Sequence, residues 1–240
     1  MERHFKNEYE HLFASLIKMG SYVEEAVEHS IKALLTNQIN LAKQVIDGDN
    51  RINVLEIVND NLIIDLLALH QPVATDLRML LADTRINNHF ERIGDHAVNL
   101  AESVIILLNS KNSKDNLLEI PKMAELTKKM LQGAINCFIH RDVQLAESVL
   151  KQDDEVDDLN KSMMTLVAQE IYIEMEEKVA NPKSHDTDKN LERIKSGMEL
   201  LRISRNFERI SDLATNIAEE VIFIIQARTV KHNITVSEQK

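Results

Sequence analysis

The 240-residue chain contains five glycines and three prolines, about a quarter of the roughly 12% usual in proteins, and this shortage excludes folds built on many tight turns. Aromatics are also scarce (six Phe, three Tyr, no Trp), whereas strands draw on aromatic and β-branched side chains. With 28 basic against 39 acidic residues the formal net charge is −11, a field that repels nucleic-acid and anionic-lipid backbones and argues against direct binding to either.

Apolar residues recur at helical spacing from the start: Phe5, Tyr9, Leu12, Leu16, Met19, Val23, Val27 and Leu34, with one longer gap at Ser30. This predicts a long amphipathic helix ending near Thr36-Asn37. A second is expected from Leu41 to His70, capped by Asn40 and stopped by Pro72, which removes a donor and restricts the residue before it. A third follows from about Val73 to Asn109. The polar stretch Ser110 to Asn116 is the best linker in the chain. The same elements then return: a helix near Leu118 to Ile139, one from Asp142 to about Val179, a break around Pro182, and a last helix from about Asp188 to Arg228.

The repetition extends to the residues. The segment Phe90 to Glu102 lies 117 residues before Phe207 to Glu219, and nine of their thirteen positions are identical. Arg85-Ile86 and Arg202-Ile203 match at the same offset. The expected fold is all-α, two tandem three-helix bundles of six long helices, with residues 1–112 as the first bundle and 113–240 as the second. Cys137 has no partner for a disulfide and reads as a small buried hydrophobe. The longest apolar runs, Val104 to Leu108 and Val221 to Ile225, fall far short of the ~20 residues that span a bilayer, and the start has no signal-like apolar core. A soluble, cytoplasmic protein is expected.

Within the repeat, Glu91, Asp95 and Asn99 stand at i, i+4 and i+8, as do Glu208, Asp212 and Asn216. That spacing puts each trio on one helical face, where like charges repel and need water, the neighbouring Arg92 and Arg209, or a bound cation to offset them. A second pair of clusters lies on the middle helices: Asp49 with Asn53, and Asp153 with Asp157. Folding antiparallel helices at Pro72 and at Pro182 brings the two clusters of each half to the same height. Facing i, i+4 pairs supply oxygen ligands of the kind that hold magnesium, manganese or iron, with zinc also open. The plainer reading is a solvated polar face.

Other patterns carry less. A ferritin-type di-iron centre needs two Glu-x-x-His motifs, and only Glu8-Tyr9-Glu10-His11 is present. His89 and His96 read as surface or capping residues, Glu24, Glu25, Glu28 and His29 as the outer face of the first helix, and Met163 and Met164 as core. No phosphate-cradling glycine loop, nucleophile elbow or Cys-His zinc pattern occurs.

These residues resemble the PhoU family of phosphate-signalling regulators nearly end to end. The most specific pieces are the two Glu-Arg-Ile-x-Asp stretches, Glu91 to Asp95 and Glu208 to Asp212. Gln71-Pro72-Val73-Ala74-Thr75-Asp76-Leu77-Arg78 at the first hairpin tip and Met19-Gly20 followed by Val23-Glu24 support them. The resemblance implies tandem three-helix bundles whose E(D)xxxD motifs hold divalent or trivalent metal ions (iron, manganese, magnesium or zinc), in a cytoplasmic homodimer that meets the membrane only through its partners. It also implies negative regulation of the phosphate-starvation response and of phosphate uptake, linking the ATPase subunit of the phosphate ABC transporter to the sensor histidine kinase. By residue, the motif falls on Glu91/Asp95, Glu208/Asp212 and Asp153/Asp157. Asn53 stands where the pattern has an acid, so weaker metal binding is expected in the first half. The alternatives from other classes are a carboxylate-site metalloenzyme such as a metal-dependent phosphohydrolase, which would need an open, water-bearing position, and a metal storage or sensing protein.

Overall fold

The computed structural model describes residues 3–110, 119–180, 187–231 and 234–235. Helix α1 (Arg3–Thr36) buries the predicted stripe, with Phe5, Leu12, Leu16, Met19, Val23, Val27 and Leu34 all in the core. The gap at Ser30 is filled: its buried hydroxyl donates to the Ala97 carbonyl across the bundle at 3.1 Å. The chain turns at Asn37, which takes a left-handed φ of 57°, a conformation asparagine tolerates better than most residues.

The predicted second helix forms in two pieces, α2 (Ile39–Gly48) and α3 (Asn50–His70). It begins one residue before the expected cap: Gln38 precedes it without a side-chain cap, so Asn40 lies inside the first turn. Asp49 separates the pieces but keeps helical angles, and its carbonyl accepts from Ile52 and Asn53. Gln71 then closes α3 in the left-handed region, its N–H donating to Leu67, and Pro72 blocks continuation. Helix α4 (Ala74–Asn109) completes the first half.

The second half repeats the plan. Helix α5 (Ile120–His140) carries Pro121 in its first turn, and Arg141 ends it at a left-handed φ of 53°. The expected fifth helix is again divided, into α6 (Val143–Leu150) and α7 (Asp153–Ala180), and the Asp142 side chain caps α6 by accepting from the Leu145 N–H. Helix α8 (Thr187–Gln226) is the longest, and a short antiparallel pair, β1 (Val230–Lys231) with β2 (Ile234–Thr235), follows it. The six-helix, all-α layout therefore stands, with the middle helix of each half interrupted near its acidic start. Pro182 and all of the linker except Ser110 lie outside the described residues.

Cross-helix contacts set the register. Ile52 packs where Gly94 leaves room, and Asn59 donates to Asn87 at 2.9 Å, so α3 and α4 run antiparallel and pivot about Val73. Ser204 donates to Asn160 at 2.6 Å and Val167 packs against Gly197, so α7 and α8 are symmetric about position 182. Between the halves, α4 and α8 pack antiparallel along much of their length. Arg85 clasps both oxygens of Glu220 at 3.0 and 2.8 Å, and His96 bonds Asn206 at 3.1 Å. One continuous apolar core, including Cys137, joins all eight segments. Among the described residues no helix is long and apolar enough to cross a membrane.

Candidate functional site

The α3/α4 register carries the first cluster to one height. Asp49 lies beside Gly94, with an oxygen 3.6 Å from where a Cβ there would sit, and the Asn53 amide donates to the other Asp49 oxygen at 2.7 Å. Glu91 feels Asp95, Glu56 and Asp49 together, and partial burial plus those like charges pushes its carboxyl up to about 7. Glu56 is also raised, by burial and by Asp60 and Asp95. The first cluster is thus Asp49, Glu56, Glu91 and Asp95 around Asn53. Asn99 stays exposed one turn further along α4.

Glu56 was missed by the spacing argument, although Glu56 and Asp60 form another i, i+4 acidic pair. It matters because it supplies the charge that Asn53 lacks. With Glu56 the first half gathers Asp49, Glu56, Glu91 and Asp95, while Asp153 in the second half feels Asp154, Asp157, Glu208 and Asp212.

In the second cluster Asp153 is half-buried and pushed up to about 6, first by desolvation and then by Asp212, Asp157, Asp154 and Glu208. Asp212 is raised by burial against the pull of Arg209, which donates to it at 2.9 Å. Glu208 Oε2 is buried without a hydrogen-bond partner, and a charged oxygen left so is costly unless something positive meets it. A cleft of about 380 Å³ opens here, lined by Asp153, Asp212, Asn216, Thr215, Arg209 and Arg92.

Arg92 comes from the other half. The antiparallel α4/α8 crossing lays the two Glu-Arg-Ile-x-Asp segments against each other, so Arg92 lines the Asp212 cleft while also lowering the carboxyl of its own neighbour Glu91. His96 likewise reaches across, bonding Asn206 and favouring ionised Asp212. It bridges two helices, where a surface or capping residue is expected from sequence. The acidic run on α1 also differs from expectation: Glu24 accepts from Gln132, Glu28 from Lys128 and Glu25 from Arg51, so these side chains tie α1 to α5 and α3. Of the two methionines, Met163 is core but Met164 is 59% exposed.

Chemically, the clusters are hard-oxygen donor sets. Their elevated carboxyls and the orphaned Glu208 oxygen suit a cation of magnesium, manganese or iron type. Among the described residues no three His, Cys, Asp or Glu side chains converge on one point as ligands would. The acids of each cluster sit at one height on facing helices.

The PhoU domain matches this chain twice, over residues 16–104 and 120–221. The chain belongs to the PhoU family. A phosphate-specific transport system accessory protein PhoU homologue of Aquifex aeolicus is 34% identical over 221 residues, covering 90% of each chain. The crystal structure of PhoU from Pseudomonas aeruginosa is similar with a TM-score of 0.81 at 30% identity, covering 93% of this chain and 99% of that one. That of the phosphate transport system regulatory protein PhoU from Streptococcus pneumoniae gives 0.78 at 25% identity, covering 95% and 99%. The PhoU domain matches begin on α1 and α5 and end on α4 and α8, so each spans one copy of the repeated helices.

Proposed function

We propose that the protein is an accessory regulator of phosphate transport that acts without catalysis, restrains phosphate uptake and the phosphate-starvation response, and couples the ATPase subunit of a phosphate ABC transporter to a sensor histidine kinase. The observation that carries this reading is the PhoU match over both halves of the chain, because the relatives and structures are named as accessory or regulatory proteins of phosphate transport. Residues 1–112 and 113–240 act as duplicate modules of a cytoplasmic homodimer, reaching the membrane through the transporter.

In this reading the carboxylate clusters hold divalent or trivalent cations: Asp49, Glu56, Glu91 and Asp95 with Asn53 in the first half, and Asp153, Asp157, Glu208 and Asp212 in the second. A cation there supplies positive charge where the chain has concentrated negative charge. Asn99 and Asn216 continue the same helical faces, and Arg92 and Arg209 balance part of the charge from the side.

The test is genetic. Deleting the gene in its host and measuring alkaline phosphatase in phosphate-rich medium should show derepression. An unchanged reporter together with unchanged phosphate uptake would overturn the proposal. Phosphoester hydrolysis by the purified protein with Mn²⁺, abolished by Glu208→Ala, would favour a metalloenzyme instead.

A further inference from the structure

Helix α3 is apolar on both sides. Its inward face buries Ile52, Asn59, Ile63 and Leu66 against α1 and α4. Its outward face exposes Val54 (50%), Ile57 (61%) and Ile64 (60%), and together with exposed Asn61 and Ala68 these fall at steps of three and four, the a and d positions of two heptads. A helix apolar all round is normally covered on both sides, and a continuous exposed stripe of this kind marks an interaction surface.

The internal duplicate departs from this stripe at its first two positions. Matching buried positions (Ile52 with Val156, Asn59 with Met163, Ile63 with Val167) puts Asp158 and Lys161 of α7 where α3 has Val54 and Ile57. There the two form an exposed ion pair at 3.2 Å. At these two positions the same architecture is stable with charge in place of the stripe, while further along α7 the matching face again exposes Ala168 and Tyr172.

Charge decides what covers it. From Ile52 to Leu69 the helix carries Glu56, Asp60 and Asp65 and no Lys or Arg. Arg51, just before, is engaged with Glu25 and the Tyr22 ring. Asp60 and Asp65 stand exposed at the g and e positions beside the seam, one Asp60 oxygen accepting from the Asn87 amide on α4 at 3.0 Å. A parallel pairing with a second copy of α3 would set Asp60 against Asp65, and an antiparallel one would set each flank against its own kind, so no symmetric pairing brings an acid to a base. We propose that the outer face of α3 is a docking seam for an amphipathic helix of another protein, with aliphatic residues at its own a and d positions, Lys or Arg flanking them, and an amide side chain to meet Asn61. The inference rests on this face alone and does not depend on the phosphate-regulation reading.

The experiment uses the full chain and two synthetic helical peptides of about 21 residues, three heptads long. Both have Ile/Leu seams and one central Asn, and they differ only in Lys or Glu at e and g. Fluorescence anisotropy should show the Lys peptide binding about fivefold or more tighter than the Glu peptide at low salt, the scale of two exposed ion pairs, with the advantage collapsing in high salt. The Ile57→Lys/Ile64→Lys variant should lose about tenfold or more in affinity, the order of two removed apolar anchors. The Asp60→Lys/Asp65→Lys variant should prefer the Glu peptide, a reversal that a folding defect cannot produce. Equal binding of both peptides, or undiminished binding by the Ile57→Lys/Ile64→Lys variant, would overturn the proposal. So would sedimentation showing a wild-type dimer that this variant dissolves while no peptide binds, a result that assigns the face to a second copy.

Discussion

Arg141, from the end of α5, brings its guanidinium to 3.9 Å from the Asp83 carboxylate on α4, and Asp83 is fully buried. The same guanidinium nitrogen donates to the Tyr9 hydroxyl on α1 at 2.8 Å, and the group lies over the rings of Phe13 and Phe138 at 5.0 and 4.9 Å. The contact joins the two halves through three elements. Neither Asp83 oxygen has a hydrogen bond of good geometry, so the charge depends first on Arg141 and then on the nearby Tyr9 hydroxyl. Arg141→Met should destabilise the protein by about 3 kcal/mol, the scale for stranding one buried charge. The double variant Asp83→Leu/Arg141→Met should recover most of that loss. Urea unfolding of the three proteins measures both, and a double variant no more stable than the single one would refute the pairing.

The raised carboxyls fix the sign of a pH dependence. Asp83 and Asp153 are pushed up to about 6 and Glu91 to about 7, mainly by burial. Unfolded, such groups titrate near 4, so between pH 4 and 7 the native state binds more protons than the unfolded one and stability must fall as pH rises. Urea midpoints in EDTA should therefore drop from pH 5 to pH 7.5. Adding Mn²⁺ should flatten or invert the slope, because a cation favours the ionised clusters. A midpoint that rises with pH in EDTA would show that the clusters are not strained in this way.

Most of the fold was legible because helical periodicity and a 117-residue repeat are local, countable signals. Ser30 interrupts the apolar stripe of α1 and still lies in the core because its hydroxyl finds the Ala97 carbonyl on another helix, which no single-helix pattern reveals. The levelling of the clusters followed from equal rise along hairpin arms. Glu56 and Asp60 share the i, i+4 spacing of the motif pairs, but spacing alone does not tell which of several acidic pairs on one helix meets Glu91 and Asp95 on the next. Arg92 and His96 could not be placed, since their positions depend on how α4 crosses α8. For the same reason the acidic run of α1 reads as solvated in sequence yet meets Lys128 and Gln132 in the structure.

Glu208 should respond with opposite signs depending on the cation. Its buried, unpartnered oxygen repels Asp153. Glu208→Gln removes that charge and should raise the thermal midpoint in EDTA. With Mn²⁺ added, the wild type gains stability by binding, and the variant should gain less. Glu56→Gln should behave alike through the first cluster, despite standing outside the motif-derived ligand set. Thermal scans of the three proteins with and without Mn²⁺ test this, and equal metal-induced shifts in all of them would remove these side chains from any cation site.

Gly94 lies in α4 between Glu91 and Asp95, and its missing side chain lets α3 approach. A Cβ there would come within 3.0 Å of Ile52 Cδ1 and 3.4 Å of Cγ2, tighter than ordinary contact, with Asp49 only slightly further away. The repeat has Ser211 at this position, buried and donating to Thr127 on α5, so the close approach belongs to the first half. Gly94→Ala improves helix propensity by up to about 1 kcal/mol, while overpacking costs roughly 1–3 kcal/mol. The rigid, β-branched Ile52, buried at 2% exposure, decides for the cost. The expected net change is a loss of about 1 kcal/mol, with α3 pushed away from α4 and Asp49 away from Asp95. Ile52→Val in the same chain removes the Cδ1 that clashes and should restore the midpoint, together with any Mn²⁺-induced shift that Gly94→Ala alone has weakened. A Gly94→Ala protein more stable than the wild type, with its Mn²⁺ response intact, would show that the α3/α4 spacing does not set the first cluster.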